Sequence, residues 1–363
     1  MMRNGFGLRT AAAKAWRQLC LGLLGLWLAG SAATPVVAAE PGPSVAVVGP
    51  FTAPSLQPHF TDSAFIAADG NRLPLRRWLP RGEPKAVILG LHGFNDYSNA
   101  FAVPAALWAE RGVATYAYDQ RGFGGAPLRY RWAGSAQLAN DAVTAVRVLR
   151  AMYPGRPIYL LGESMGGAVA VLAGTGMDGV TPAAADGLIL SAPAVWGRDT
   201  MEIWPRLALF AAVRFFPELT LTGQGLGIKP SDNLPMLRAL MKDPMVIKGA
   251  RVSTIYGLVD LMDLAVAAAP RLDVPLLLLY GARDEVVPRE ALAEFVAGLP
   301  PRPAHRRHLA YYRDGYHLLL RDLQGATVAG DVANWVFDRG APLPSHADRR
   351  ELARPWPPAE GGG

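Results

Sequence analysis

Cysteine is all but missing from this chain. Of 363 residues only Cys20 carries a thiol, so no internal disulfide framework exists and stability has to come from a core. With 51% of residues apolar, the material for a large core is present, in one big domain or two medium ones. Charge is scarce too, at 18% of residues. The net charge of +6 overstates any basic character: residues 1–39 hold Arg3, Arg9, Lys14 and Arg17 and no acid, which leaves 32 basic against 30 acidic residues in the rest. The nearest approaches to a basic cluster are the isolated pairs Arg306-Arg307 and Arg349-Arg350, which excludes a nucleic-acid footprint. Histidine occurs six times, and no two histidines stand at metal-site spacing with an acid, so neither a metal nor another cofactor is expected.

What is present begins with a targeting segment. The four basic residues precede Leu19-Cys20-Leu21-Gly22-Leu23-Leu24-Gly25-Leu26-Trp27-Leu28-Ala29, an apolar run of signal-peptide length. Val37-Ala38-Ala39 offers a small-x-small cleavage site before Glu40, and Ser31-Ala32-Ala33 a second. The expectation is export, periplasmic or secreted, with cleavage; the competing reading is an uncleaved membrane anchor, because the apolar stretch to Ala39 just reaches spanning length. Residues 40–61 read as a linker.

From residue 62 short apolar runs alternate with helical stretches. Ala64 to Ala68 and Leu73 to Leu79 read as a strand pair around Asp69-Gly70-Asn71. Ala86-Val87-Ile88-Leu89-Gly90-Leu91 and Val113-Ala114-Thr115-Tyr116-Ala117-Tyr118 read as buried strands separated by a helix over residues 101–111. Residues 135–153 carry a long amphipathic helix, with Leu138, Ala142, Val146 and Leu149 on one face. Pro157-Ile158-Tyr159-Leu160-Leu161, Gly187-Leu188-Ile189-Leu190-Ser191 and a run from Val274 to Tyr280 add further strands. Such runs separated by helices argue an α/β fold with a mostly parallel sheet covered on both faces. Residues 196–271 break the rhythm: they carry no strand pattern, and Ile203, Trp204, Leu207, Leu209, Phe210, Val213, Phe215 and Phe216 suit helices. This interval reads as a helical cap inserted between a first core part, 62–195, and a second, 272–340. The proline-rich tail, 341–363, is expected to be disordered.

The most informative stretch is Gly162-Glu163-Ser164-Met165-Gly166. It follows an apolar strand and precedes the small, apolar Gly167-Ala168-Val169-Ala170-Val171-Leu172, the strand–turn–helix setting that a G-x-S-x-G nucleophile elbow needs. A serine nucleophile requires a base and a group to orient that base, and on this scaffold they follow in the order Ser, acid, His. Asp284 lies just past a buried strand in Tyr280-Gly281-Ala282-Arg283-Asp284-Glu285-Val286-Val287-Pro288; Glu285 is the alternative acid. His317, after Arg313-Asp314-Gly315-Tyr316, has the order and setting of the base. His305 and His308 read as surface groups, and His59 and His346 fall in linkers. Leu91-His92-Gly93-Phe94 ends a buried strand, so the N–H groups of Phe94 and Met165 are the expected oxyanion donors, with His92 supportive rather than catalytic.

Taken together these segments resemble the serine-hydrolase branch of the α/β-hydrolase superfamily, and most of all its monoacylglycerol lipase and lysophospholipase group with a serine aminopeptidase S33-like domain. The resemblance rests on Leu73-Pro74-Leu75-Arg76-Arg77-Trp78-Leu79-Pro80, His92-Gly93-Phe94, Tyr118-Asp119-Gln120-Arg121-Gly122-Phe123-Gly124, the elbow, Ser191-Ala192-Pro193-Ala194, Gly281 to Pro288 and Gly315-Tyr316-His317. Lys242-Asp243-Pro244 in the insertion is similar to that group's cap. Phe94-Asn95-Asp96-Tyr97 departs from the small and polar residues the group often has there, which bears on substrate preference. Serine at 164 sets the chain apart from the dehalogenases and epoxide hydrolases of the superfamily, which resemble it in fold but use aspartate. The resemblance implies an α/β-hydrolase fold and cleavage of a small-molecule or lipid ester, with membrane association through the N-terminal segment or the cap. An aminopeptidase or acyltransferase on the same residues, and a catalytically inactive binding protein, are the rival readings.

Overall fold

The computed structural model describes residues 57–223, 227–301 and 306–349. The targeting segment 1–39 with its cleavage sites, the linker up to residue 56, His305 and the tail from residue 350 lie outside the described residues.

Five parallel strands make the centre of the sheet: β4 (Ala86–Leu91), β5 (Val113–Tyr118), β6 (Ile158–Glu163), β7 (Gly187–Ser191) and β10 (Leu276–Gly281). Every residue in them is buried, which is why they read as unbroken apolar runs rather than alternating ones. β11 (Arg307–Tyr312) closes one edge in parallel with β10. At the other edge β3 (Arg72–Trp78), β2 (Ala64–Ile66) and β1 (His59–Phe60) continue antiparallel, giving the order β1-β2-β3-β5-β4-β6-β7-β10-β11.

Alternate residues of each central strand serve opposite layers. Ile88, Leu161, Ile189 and Leu279 face Phe101, Trp108 of α1 (Ala102–Glu110) and Trp335 of α8 (Gly325–Phe337). The Trp108 indole N–H donates to the Ala329 carbonyl (2.8 Å) and the Tyr159 hydroxyl to that of Val336 (2.8 Å), so two large buried rings carry their own partners. Leu89, Leu160 and Leu188 face the opposite layer of α2 (Ser135–Met152), α3 (Met165–Thr175) and α7 (Arg289–Gly298).

Between β7 and β10 the insertion contains α4 (Ile203–Phe215), α5 (Leu234–Lys242) and α6 (Val252–Ala268). By length and apolarity residues Val252–Arg271 would cross a membrane, but half of them are buried inside the protein, with Leu261, Ala265 and Ala268 fully enclosed. The expectation that this interval lacks strands needs correcting. β8 (Thr220–Thr222) and β9 (Gly249–Arg251) form an antiparallel pair that ties the end of α4 to the start of α6. Each has three residues, too few for an alternating pattern.

Both outer limits of the core move as well. Phe60, assigned to the linker, stacks obliquely on Phe65 and Tyr116, with ring centroids 5.1 and 5.2 Å away. Residues 341–349, assigned to the disordered tail, pack on α8 and β11. Leu343 and Ala347 are buried, and the Ser345 amide donates to Asp331 (3.0 Å). Two apolar residues among prolines suffice here because Asp331 supplies a buried acceptor for the turn.

Candidate active site

β6 ends at Glu163, α3 begins at Met165, and Ser164 sits between them at φ +53°, ψ −117°, a backbone conformation that costs an L-residue free energy and persists only where its surroundings impose it. Those surroundings can be named. The Ser164 amide donates to the Ser191 carbonyl (2.9 Å), and the Ser164 carbonyl accepts from Gly167 (2.9 Å) and Ala194 (2.9 Å). A Cβ on Gly162 would lie 2.2 Å from the Gly166 oxygen, and one on Gly166 would lie 2.0 Å from that of Leu91. Both small positions are thus demanded by neighbouring backbone, not by flexibility alone.

The β10 and β11 loops bring an acid and a histidine together. Gly281 lets the two loops touch, since a Cβ there would meet the Gly315 oxygen at 2.3 Å. The His317 Nδ1–H donates to Asp284 Oδ2 (2.8 Å), and the other carboxylate oxygen accepts from the amides of Val286 (2.7 Å) and Val287 (3.0 Å). Burial opposes a charged imidazolium, but the charge of Asp284 and this hydrogen bond outweigh it and hold the His317 pKa above its ordinary value. Glu285, the alternative acid, also borders the cleft described below, and its carboxylate accepts from the Lys229 amide (2.8 Å). His308 contacts the Arg339 carbonyl (2.8 Å), and His59 lies exposed on β1; neither lines the cleft below.

His92 is fully buried. Its Nδ1–H donates to the Gly93 carbonyl (2.8 Å), its Nε2 accepts from the Gln120 amide (2.9 Å), and burial lowers its pKa, so it is a neutral prop for the loop carrying Phe94. On the other side of Ser164, Met165 opens α3, where the amide has no intrahelical acceptor.

Ser164, His317 and Phe94 line one cleft of about 470 Å³, within the range of small-molecule sites. Its apolar wall comes largely from the cap: Trp196, Leu240 of α5, Val246, and Ile255, Leu258 and Met262 of α6. At its polar end stand Asn95, Asp96, Glu163 and Arg321. The Arg321 guanidinium donates to Asp96 (2.8 Å) and Glu163 (2.5 Å), with all three side chains almost wholly buried. Asp96, Glu163 in this role and Arg321 are missed by sequence reasoning, because an ion pair between residues 158 positions apart has no local signature. Among the described residues no three metal-binding side chains are gathered.

The cap is bonded to both loops that carry site residues. Next to Phe94, the Asn95 carbonyl accepts from Ile247 (2.8 Å) and the Tyr97 hydroxyl donates to Asp243 (2.6 Å). Next to His317, the Leu318 amide donates to the Pro230 carbonyl (2.9 Å), the Ser231 hydroxyl to Asp322 (2.6 Å), and the Asn233 amide group to the Arg321 carbonyl (2.9 Å). Asp322 also accepts from the Tyr316 amide (2.7 Å), yet burial pushes its pKa up to about 6.

Residues 82–324 match the family described as serine aminopeptidase, S33. Among curated proteins, the chain is 28% identical to the monoglyceride lipase of Homo sapiens over 286 residues, covering 76% of this chain and 90% of that protein. It is 27% identical to the monoacylglycerol lipase of Mycolicibacterium smegmatis, covering 76% and 96%. Among solved structures it is similar to Paleococcus ferrophilus monoacylglycerol lipase (TM-score 0.60, 21% identity, 73% of this chain and 98% of that one). A soluble variant of Saccharomyces cerevisiae monoglyceride lipase gives a TM-score of 0.62 at 18% identity, covering 79% and 98%. With a strained serine on its elbow, an α/β-hydrolase sheet and a family match across two thirds of its length, this chain is a serine hydrolase and belongs to the serine aminopeptidase S33 family.

Proposed function

We propose that this serine hydrolase cleaves lipid-like carboxylic esters, monoacylglycerols or lysophospholipids, through an acyl-enzyme. The observation that carries the reading is Ser164 on its elbow in the same apolar-walled cleft as His317, which is hydrogen-bonded behind the cleft wall to the buried carboxylate of Asp284. His317 Nε2 takes the hydroxyl proton as Ser164 Oγ adds to the ester carbonyl, and Asp284 keeps the imidazole in the tautomer that can do so. The N–H groups of Phe94 and Met165 receive the oxyanion. Collapse of the tetrahedral adduct expels the alcohol with the proton from His317. Water, activated by the same histidine, then releases the acid and restores Ser164. The cap side chains bind the acyl chain, a reading supported by their apolar character and by the names of the relatives.

The same reading extends to where the substrate is met. α4 contains Arg206 and Arg214 and no acid, and leaves Trp204 (75%), Phe210 (63%) and Phe215 (71%) exposed to water. An apolar, cationic surface of this kind suits an anionic lipid interface. We infer that the chain is exported by residues 1–39 and works at a membrane surface through α4.

A fluorophosphonate probe should label the protein at Ser164, and Ser164→Ala should abolish labelling and lower kcat on the order of 10⁶-fold without unfolding it. A panel of monoacylglycerols, short p-nitrophenyl esters and aminoacyl amides then sorts lipase from esterase from aminopeptidase. Faster cleavage of the amides than of the glycerides would replace the lipid reading by the peptidase one. For the surface, Trp204→Ser with Phe210→Ser should weaken co-sedimentation with anionic vesicles at least about tenfold; unchanged co-sedimentation would remove α4 as the contact.

A further inference from the structure

We propose that Arg321 is a positioning residue that sets the spacing between the two halves of the oxyanion site. This rests on the reading above, in which Phe94 and Met165 supply the two N–H donors. Arg321 bonds to one carboxylate on each side of that site. Nη1 donates to Asp96, two residues after Phe94, and Nη2 donates to Glu163, two residues before Met165. The turn that carries Phe94 is closed by the Asp96 amide on the Gly93 carbonyl (3.3 Å), and the other Asp96 oxygen accepts from Tyr97 (2.8 Å), so pulling on the Asp96 carboxylate moves that whole turn. Glu163 is the last residue of β6, and its main chain runs directly into Ser164 and Met165. Arg321 itself lies four residues past His317 in the turn Leu319–Arg321. One guanidinium therefore joins the oxyanion loop, the nucleophile elbow and the histidine loop.

The network is a poor device for stability. Two carboxylates and a guanidinium are withdrawn from water, and Glu163 Oε2 and Arg321 Nε are buried without a hydrogen-bond partner among the described residues. Buried ion pairs that leave polar atoms unmet are weak stabilisers, whereas removing one partner is costly. What the planar fork does supply is two donors at a fixed separation, and a lysine has a single flexible point charge instead. The molecule contains its own control. Arg121 is likewise buried between two carboxylates, Asp141 (2.6 Å) and Asp69 (2.7 Å), and none of the three lines the cleft.

The test compares full-length Arg321→Lys, Glu163→Gln and Arg121→Lys with wild type, each checked for folding by Tm. For each, kcat and KM are measured on a soluble p-nitrophenyl ester, together with inhibition by a trifluoromethyl ketone, which adds Ser164 and places an oxyanion between the donors. A methyl ketone of equal length serves as the ground-state probe. Arg321→Lys is expected to lower kcat at least about tenfold and to weaken the trifluoromethyl ketone by a similar factor, with KM and methyl ketone binding within about twofold. Because lysine keeps the charge, the acid limb of the pH profile should stay in place. Glu163→Gln, which keeps an acceptor for Nη2, should show the same pattern with a smaller loss. Arg121→Lys should lower Tm and leave the ratio of the two ketone affinities as in wild type. Folded Arg321→Lys with unchanged kcat and ketone ratio overturns the proposal; should that variant not fold, an unchanged ratio in Glu163→Gln does so. The same ratio change in Arg121→Lys also overturns it. Wild-type protein that resists fluorophosphonate at Ser164 fails the underlying reading instead, and the proposal with it.

Discussion

The sheet core and the inserted cap are built by opposite rules. In the core, β4, β5, β6, β7 and β10 have no exposed residue, and the loops bearing Phe94, Ser164 and Asp284 leave the ends of β4, β6 and β10. In the cap only α6 is packed deeply, with about half of its residues buried; α5 buries none of its residues, α4 buries only Pro205, Leu209 and Ala212, and β8 and β9 have three residues each. Dense interiors transmit a misfit of one methyl group, while thinly packed elements absorb it. The difference separates two tasks. On the proposed function, the atoms that must meet a reacting carbonyl to within a fraction of an ångström are anchored on the dense part, and the surfaces that accept a hydrocarbon chain are left largely to the cap.

The contrast can be broken from the core side. Asp284→Asn keeps the side-chain volume but loses the charge behind His317, and kcat should fall about 10⁴-fold with Tm little changed. A loss of that size from Glu285→Gln, with a mild Asp284→Asn, would reverse the assignment of the acid. Gly166→Ala is aimed at packing rather than chemistry. Its Cβ collides with the Leu91 backbone, and a cost of about 3 kcal/mol or more should appear in chemical denaturation. A variant as stable as wild type would mean that the elbow has room to yield.

From the cap side the effects should be smaller and depend on substrate. Met262→Ala should lower kcat/KM for long-chain esters about tenfold and leave short esters unchanged; a uniform loss would show that α6 supports the core rather than the acyl chain. The pH response sharpens the comparison further. kcat/KM should fall on acidification with a midpoint above the usual histidine value of about 6.5, since in the proposed mechanism His317 has to be neutral to accept the proton and Asp284 favours its charged form. The smallest effect concerns Asp322, at the joint between the two regions. Its pKa is higher in the folded state, so its contribution to stability is full below about pH 4 and lost as pH rises through about 6. The Tm of wild type relative to Asp322→Asn should therefore decline over that window; a constant difference would contradict the raised pKa.

Much of the core was legible because its signals are local. Unbroken apolar runs follow from strands covered on both faces, and the glycines at 162 and 166 follow from a turn with backbone on both sides of it. Asp284 and His317 could be singled out because each follows a strand within a few residues. Illegible were the features made by distant partners: Arg321 with Glu163 and Asp96, and Asp322 with Ser231. β8 and β9 escaped for a related reason. Thr220 and Thr222 suit a strand, but a three-residue strand is specified by its partner 29 positions on and not by any period of its own.

The bonds from Lys229, Pro230, Ser231 and Asn233 to the far side of the cleft bear on how such proteins can be re-engineered. A cap that rests on a core by apolar contact alone is a module and can be exchanged for another. Here the amide after His317 spends its hydrogen on the Pro230 carbonyl, and the amide before it spends its own on Asp322, which also holds Ser231. Cutting out the whole insertion would leave those groups to water and slacken the loop that presents the imidazole. A chimaera that retains residues 229–233 and replaces only the flanking helices should keep its chemistry, whereas a clean swap of the whole insertion forfeits it. The graft boundary lies inside the cap, not at its ends.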